Sequence, residues 1–258
     1  MPIYRGGFEI IFTRNNDDNV IYRWKSKKTD GTDDPATLPA EGKITINTLY
    51  LRVPKLEYNS EAQIKLTKEL IDNGSFCDFK KLQCIQQIKV TGKTLKLDIT
   101  NIYRNVTNPI WAFVVFQTNR LNSQLKDNSV FDHTNVKNLW MEVGGKRYPE
   151  ESWDLDFDNN YYVLAFEAFQ DLKKYFFKID SIPYVDKKGF KSMYPIYSVN
   201  LMEQLQNISN VKSNIILHVE FNETVKDPDA SGEGTICYIV VVSNCLLRYE
   251  PDRIKTHK

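Results

Sequence analysis

Hydrophobic and polar residues alternate along much of the chain with the period of two that is typical of β-strands. The clearest case is the apolar series Leu95, Leu97 and Ile99, in which polar residues fill the positions between. A different pattern follows at residues 110–116, IWAFVVF, a continuous apolar run that indicates a strand buried on both faces. Strands are predicted on these grounds over residues 7–14, 19–24, 44–53, 79–90, 94–102, 110–117, 136–143, 146–148, 194–201, 214–221 and 236–249.

Helical periodicity is confined to two segments. Residues 60–73, SEAQIKLTKELIDN, have one apolar side, with Ser60 placed to cap the start and Gly74 placed to end the helix. Residues 160–177 carry apolar residues at mixed helical spacing and predict a second helix. Long loops, in place of two-residue turns, favour a Greek key over a meander. The predicted fold is all-β: an antiparallel Greek-key jelly-roll sandwich with one or two short helices.

The strand pattern also predicts which side chains face the core. The residues expected to point largely inward or at sheet contacts are Ile110, Phe113, Val115, Leu139, Leu217, Val219, Ile239 and Val241. Because successive side chains alternate faces, a second apolar layer is expected to cover part of the remaining set. That set is Ala112, Val114, Phe116, Val240 and Val242, and the covering layer is predicted to be a helix or a neighbouring subunit.

Composition excludes several classes of protein. The chain has 258 residues, 41% of them hydrophobic, which is enough for one large or two small cores. The 34 basic residues balance the 33 acidic residues, so no overall charge points to nucleic acid or to an anionic membrane. No apolar stretch approaches the ~20 residues of a membrane span. The amino-terminal residues also lack the pattern of a secretory signal.

Candidate chemistry is sparse. Asp132 and His133 in FDHTN invite a catalytic interpretation, but Ser129 is not part of a GxSxG elbow, so the pair is interpreted as packing that pins the loop after a strand. Gly144-Gly145-Lys146 lacks the spacing of a phosphate-binding loop and predicts a hairpin turn. The carboxylates of residues 30–34, DGTDD, lack the rest of a calcium loop.

The cysteine and aromatic residues also offer little evidence of a chemical site. The four cysteines form no CxxC pair, and Cys237 and Cys245 are expected to be reduced cysteines in one core strand. The aromatic residues near the centre of the chain suggest either core packing or a ligand-stacking platform, with core packing favoured. They are Trp140, Trp153, Tyr161 and Tyr162. We predict no catalytic residue, no cofactor-binding residue and no metal site.

An ordered series of short motifs carries a resemblance to a known family. Phe116-Gln117-Thr118, a polar loop with Phe131-Asp132-His133, and Tyr148-Pro149 follow one another in residues 116–149. This segment resembles the second jelly roll of double jelly-roll major capsid proteins, above all those of polinton-type elements and adintoviruses and their copies in animal genomes. Further similar segments are 193–201, 218–225 and 237–250 downstream, and 8–24 and 42–56 upstream.

The resemblance implies a division of the chain and a role. Residues 1–58 are expected to be strands from the end of a first jelly roll, and residues 59–258 a complete carboxy-terminal roll, as in a truncated copy. The implied function is that of a structural virion-type protein, viral or domesticated from an integrated element, that self-assembles through loops and sheet edges. Its implied partners are further copies of itself, as a homotrimer, and other capsid proteins. The implied location is the virion, or otherwise the host cytoplasm or nucleus.

The loop over residues 119–135 is the expected subunit contact. The candidate contact residues are Asn119, Arg120, Phe131, Asp132 and His133. The alternative function is a jelly-roll binding module for protein or carbohydrate, without catalysis. An enzyme is the weakest of the three hypotheses, since no constellation of acid, base, nucleophile and metal is present in the sequence.

Overall fold

Two antiparallel sheets account for most of the regular structure. The computed structural model describes residues 11–13, 18, 20–24, 28–30, 40–52, 57–100, 109–120, 123–178, 185–202, 214–225, 234–250 and 253–257. The strands are β1 (Ser75–Val90), β2 (Gly92–Asp98), β3 (Pro109–Thr118), β4 (Val136–Val143), β5 (Lys146–Tyr148), β6 (Tyr197–Asn200), β7 (Ile215–Val225), β8 (Thr235–Glu250) and β9 (Arg253–His257). The helices are α1 (Ser60–Asn73), α2 (Val163–Phe177) and α3 (Lys187–Ser192).

The strand order is that of a jelly roll. One sheet has the order β1-β8-β3-β6, with β9 pairing the far end of β8, and the other has the order β2-β7-β4-β5. Described strands that follow one another along the chain mostly belong to opposite sheets. The exceptions are two hairpins, β4–β5 at the predicted Gly144-Gly145 turn and β8–β9. This is the pairing of two nested Greek keys in a double-sheet jelly roll. The predicted fold class is confirmed.

The core lies between the two sheets. Leu139 of β4, Leu217 and Val219 of β7, and Ile239 and Val241 of β8 are buried there, as predicted. Full burial of such a side chain contributes ~1.5–3 kcal/mol. The inner faces of the two sheets therefore contribute substantially to the stability of the roll.

The predicted faces of β3 are reversed. Ala112, Val114 and Phe116 are buried in the main core, whereas Phe113 packs on the opposite face and Val115 is only half-buried. Both faces of this strand are apolar, so the sequence pattern contains no polar residue to mark the outer side. The expected second layer exists and covers Val242 of β8 as predicted, but on β3 it covers Ile110 and Phe113 in place of Ala112, Val114 and Phe116.

A β-bulge contributes to the reversal. The pairing of β3 with β8 shifts register between Pro109 and Trp111, so Ile110 and Trp111 both reach the outer face. Helix α2 covers that face. The second cluster consists of Ile110, Trp111, Leu172 and Val242, with Phe113, Tyr175 and Phe176 packed against it.

Helix α1 has the predicted bounds but a different cap. The side chain of Asn59 accepts a hydrogen bond from the Ala62 N–H at 2.9 Å, so Asn59 is the capping residue and Ser60 is the first helical residue. Helix α2 begins at Val163, three residues after the predicted start at 160, because Tyr161 forms an isolated bridge with Asp156.

The aromatic residues near the centre of the chain have different environments. Tyr162 is buried in the core and Trp153 packs against it, as predicted, whereas Tyr161 is 71% exposed. Trp140 lies on the outer face of the second sheet, where its ring stacks on His218 with 4.8 Å between centroids. The guanidinium of Arg147 covers the Trp140 ring at 4.3 Å, so this indole is sheltered without entering the core.

The cysteine prediction holds for one residue. Cys237 is a free, buried core residue, and burial raises the pKa of its thiol. Cys245 is also free but only half-buried.

The strands predicted in the amino-terminal part do not form in the described residues. Residues 11–13, 20–24 and 44–52 contain no strand, and the remaining residues of those three predictions lie outside the described part. Ile46, Leu49 and Leu51 are each more than half exposed. An apolar stretch becomes a strand only when a partner supplies the other half of the hydrogen-bond ladder, and no described strand pairs with this one.

Candidate subunit-contact loop

The loop over residues 119–135 joins β3 to β4 and crosses from one sheet to the other. Its two ends are sharp turns, because Asn119, Thr134 and Asn135 have φ values of 55°, 47° and 48°. Asn119 is fixed further by Gly234, since its backbone N–H donates to the Gly234 carbonyl at 2.7 Å and its side-chain oxygen accepts from the Gly234 N–H. All five candidate contact residues are half-buried.

Asp132 closes the loop onto the strand that precedes it. Its carboxylate accepts hydrogen bonds from the Thr118 N–H and from the Arg120 guanidinium, each at 2.7 Å. Its backbone N–H donates to the Phe116 carbonyl at 2.9 Å. Arg120 also donates to the Asp127 carbonyl at 3.1 Å. These bonds pin the loop after the strand, as the sequence predicted for the Asp132–His133 pair.

Phe131 and His133 attach the same loop to Phe157 and to the segment that leads into β6. The Phe131 N–H donates to the Met193 carbonyl at 2.9 Å. The His133 ring stacks on Phe157 with 4.5 Å between centroids, and the buried Tyr197 hydroxyl donates to the His133 carbonyl at 2.8 Å. Burial, and next the charge of Lys191, lower the pKa of His133 below its ordinary value of 6.5. The imidazole is therefore neutral at neutral pH.

Gln124 connects the loop to the amino-terminal part of the chain, a role that the sequence did not reveal. Its side-chain amide accepts from the Gly42 N–H at 3.0 Å and donates to the carbonyls of Gly42 at 2.9 Å and Asp18 at 3.0 Å. Its backbone carbonyl accepts from the Arg23 N–H at 2.7 Å. The loop is thus the place where Asp18, Arg23 and Gly42 are held against the jelly roll.

The geometry of the Asp132–His133 pair does not resemble a nucleophile site. The hydroxyl of Ser129, the nearest serine in sequence, donates to the Asp127 carboxylate at 2.6 Å and not to His133. Both oxygens of Asp132 are bound to other groups. Among the described residues, no group of three His, Cys, Asp or Glu side chains is placed to hold a metal ion. Most of the acidic stretch 30–34 lies outside the described residues.

A comparison with protein families matches almost the whole chain. The family described as the double jelly roll-like domain matches residues 5–245. The chain belongs to the double jelly roll-like domain family. The resemblance to double jelly-roll proteins is therefore confirmed.

The solved structures that match include the virophage Sputnik. Its 3.5 Å cryo-EM structure has 13% sequence identity to this chain, with a TM-score of 0.40. The match covers 72% of this chain and 39% of the Sputnik chain, so this chain spans well under half of that protein. No curated protein matches the chain.

In this double jelly roll-like domain, two of the family-like motifs contact each other. Phe116-Gln117-Thr118 bonds to Asp132 through the backbone of Phe116 and Thr118, and the Gln117 amide donates to the Asn128 carbonyl at 2.8 Å. Tyr148-Pro149 lies apart from them at the end of β5, with a cis peptide bond. In the described part of the chain, no helix has both the length and the apolar character needed to cross a membrane.

Proposed function

We propose that the chain is a structural subunit of a virion-type particle, viral or domesticated from an integrated element of the polinton type. The observation that carries the proposal is the combination of the family match over residues 5–245 with a complete jelly-roll strand order. The described residues provide a rigid frame and a pinned loop but no constellation suited to catalysis. Such a frame is suited to presenting surfaces to other subunits.

Self-association through exposed apolar surface is the proposed mechanism of assembly. Ile46, Leu49 and Leu51 are 57%, 63% and 56% exposed, and Trp24 is 69% exposed. Contiguous exposed apolar surface is typical of interaction sites, and the three aliphatic residues lie within six positions of the sequence. Covering each of the three aliphatic side chains would contribute about 1 kcal/mol, because each is more than half exposed and full burial contributes ~1.5–3 kcal/mol. In the proposed division, these residues belong to the 1–58 segment, and residues 59–258 form the roll.

Sheet edges and the 119–135 loop are the second part of the proposed contact. β2 and β5 are the edge strands of one sheet, and unpaired edges invite association. The candidates Asn119, Arg120, Phe131, Asp132 and His133 are proposed to fix the shape of the loop at a subunit contact. The exposed positions in the described part of the loop, Leu125, Lys126 and Ser129, would supply its surface.

Light scattering on the purified full-length protein tests this function. A homotrimer, or larger particles at high concentration, supports a structural subunit whose partners are its own copies and other capsid proteins, in a virion or in the host cytoplasm or nucleus. A monomer at every concentration supports instead the jelly-roll binding module for protein or carbohydrate.

A further inference from the structure

A cleft of about 680 Å³ lies between the 119–135 loop and α3. Phe131 and His133 line it on the loop side, Tyr162 lines it next to the start of α2, and Lys188, Lys191 and Ser192 line it on the α3 side. The volume falls in the range of ~300–1,000 Å³ typical of sites for small organic ligands. It is several times larger than a single inorganic anion.

His133 presents a fixed hydrogen-bond donor to this cleft. Its Nδ1 accepts a hydrogen bond from the Asn135 N–H at 3.1 Å, so the neutral ring carries its proton on Nε2. Stacking on Phe157, with 12° between the ring planes, holds the imidazole in one orientation. Among the described residues, none bonds to Nε2, and the proton there is available to a ligand.

Two lysines add positive charge and further donors. Lys191 donates one hydrogen bond to the Phe157 carbonyl and another, of 3.1 Å, to the Asn160 side chain. The third N–H of its ammonium group is left for a ligand. Lys188 is exposed and forms no hydrogen bond with the described residues. Asp132 also lines the cleft, but Arg120 balances its charge at 2.7 Å. The charge of the exposed Asp158 raises the pKa of His133, whereas the charge of Lys191 lowers it.

The loop side of the cleft contains a strained backbone conformation. Thr134 lines the cleft with φ at 47°, a left-handed conformation that is unfavourable for a β-branched residue. Such residues cost ~1–3 kcal/mol and cluster at ligand and active sites, where the surrounding structure enforces them. Here the turn formed by Thr134 and Asn135 is what brings the Asn135 N–H to the His133 ring. The strain therefore fixes the donor that faces the cleft.

We propose that this cleft binds an organic carboxylate that carries an adjacent apolar group, either as a free acid or as an acidic residue in a peptide. His133 Nε2–H, the ammonium groups of Lys188 and Lys191, and the Ser192 hydroxyl form the polar side, and they match an acceptor with negative charge. Phe131 and Tyr162 form the apolar side. The Tyr162 hydroxyl already donates to the Lys187 carbonyl at 3.2 Å and its ring stacks on Phe157 with 5.2 Å between centroids, so this buried side chain contributes only its apolar edge to the cleft.

Histidine-detected NMR tests this proposal on the full-length chain, which contains only three histidines. The probes are N-acetylphenylalanine, its uncharged amide, the dipeptide N-acetyl-aspartyl-phenylalanine amide, and inorganic phosphate. We expect one of the two organic carboxylates to shift the His133 signal saturably and to raise the pKa of His133, since a bound anion favours the imidazolium. The tighter of the two carboxylates identifies the source as a free acid or a peptide. Phosphate and the uncharged amide should bind at least about tenfold more weakly.

A matched pair of variants separates the cleft from a general effect of charge. Lys188→Gln should weaken binding about twofold to fivefold, as expected for one partly solvated charge. Lys187→Gln removes the same charge from the neighbouring residue of α3, which does not line the cleft, and should leave binding unchanged. No saturable shift of His133 with either carboxylate, equal binding of phosphate or of the amide, or equal weakening by both variants would overturn the proposal. Light scattering reports assembly independently, so a failure here leaves the proposed structural function standing.

Discussion

Replacing Asp132 with alanine tests whether the 119–135 loop is held by its own carboxylate. The substitution removes the acceptor of two hydrogen bonds of 2.7 Å, one from the Thr118 N–H and one from Arg120. A hydrogen bond to a charged group contributes ~1.5–3 kcal/mol. The Arg120 pair contributes less than this range, about 1 kcal/mol, because the Asp132 side chain is 30% exposed and solvent screens the interaction. We expect Asp132→Ala to lower the free energy of unfolding by about 2–4 kcal/mol.

Urea denaturation followed by far-ultraviolet circular dichroism measures this change, with all proteins at one concentration. Asp132→Asn keeps one neutral acceptor and should cost about half as much, ~1–2 kcal/mol. Glu150→Ala is the control, since Glu150 is 77% exposed and its only described ion pair, with Lys146, spans 3.6 Å. That control should change stability by less than about 0.5 kcal/mol. If Asp132→Ala costs no more than Glu150→Ala, the carboxylate does not hold the loop and the reasoning is refuted.

Three further predictions concern the histidine, the link to the amino-terminal part and the core. The pKa of His133 lies below 6.5 in the folded state, so stability should fall as the pH is lowered through and below 6.5, and thermal unfolding of His133→Gln should show a smaller acid-induced fall. Gln124→Ala removes the bonds to Gly42 and Asp18 and should speed limited proteolysis within residues 1–58, whereas Ser123→Ala should not. Phe116→Ala should lower the free energy of unfolding, measured in urea, by ~3–5 kcal/mol, because the ring is fully buried. An equal loss from Phe177→Ala, whose ring is exposed, would contradict this prediction.

The strands of the roll could be predicted wherever one face is polar. β4 has the predicted bounds, 136–143, because Leu139, Met141 and Val143 occupy every second position and are buried on one face. The faces of β3 could not be predicted, since the residues that meet α2 are as apolar as those that meet the other sheet. The choice between them depends on the bulge at Pro109 and on a helix that follows much later in the chain.

The candidate loop could be located from the sequence, but the roles of its residues could not. Asp132 and Arg120 stand out as charged residues in a polar segment, and their pairing is a short-range event. Gln124 has no distinctive sequence signal, and its partners Gly42 and Asp18 lie 82 and 106 positions away. The amino-terminal strands are predicted from the spacing of apolar residues and from the family resemblance, whereas a strand also requires a partner that the sequence of the segment does not specify.

The most direct test of the structural function is the mass of the full-length protein in solution, compared with that of a variant lacking residues 1–41. Sedimentation velocity over a range of concentrations measures both. The proposed homotrimer of 30.1 kDa chains gives about 90 kDa, and the deletion should shift the mass toward the monomer or cause aggregation. If the full-length protein stays at 30.1 kDa at the highest concentration and the deletion changes nothing, the chain is not a self-assembling subunit.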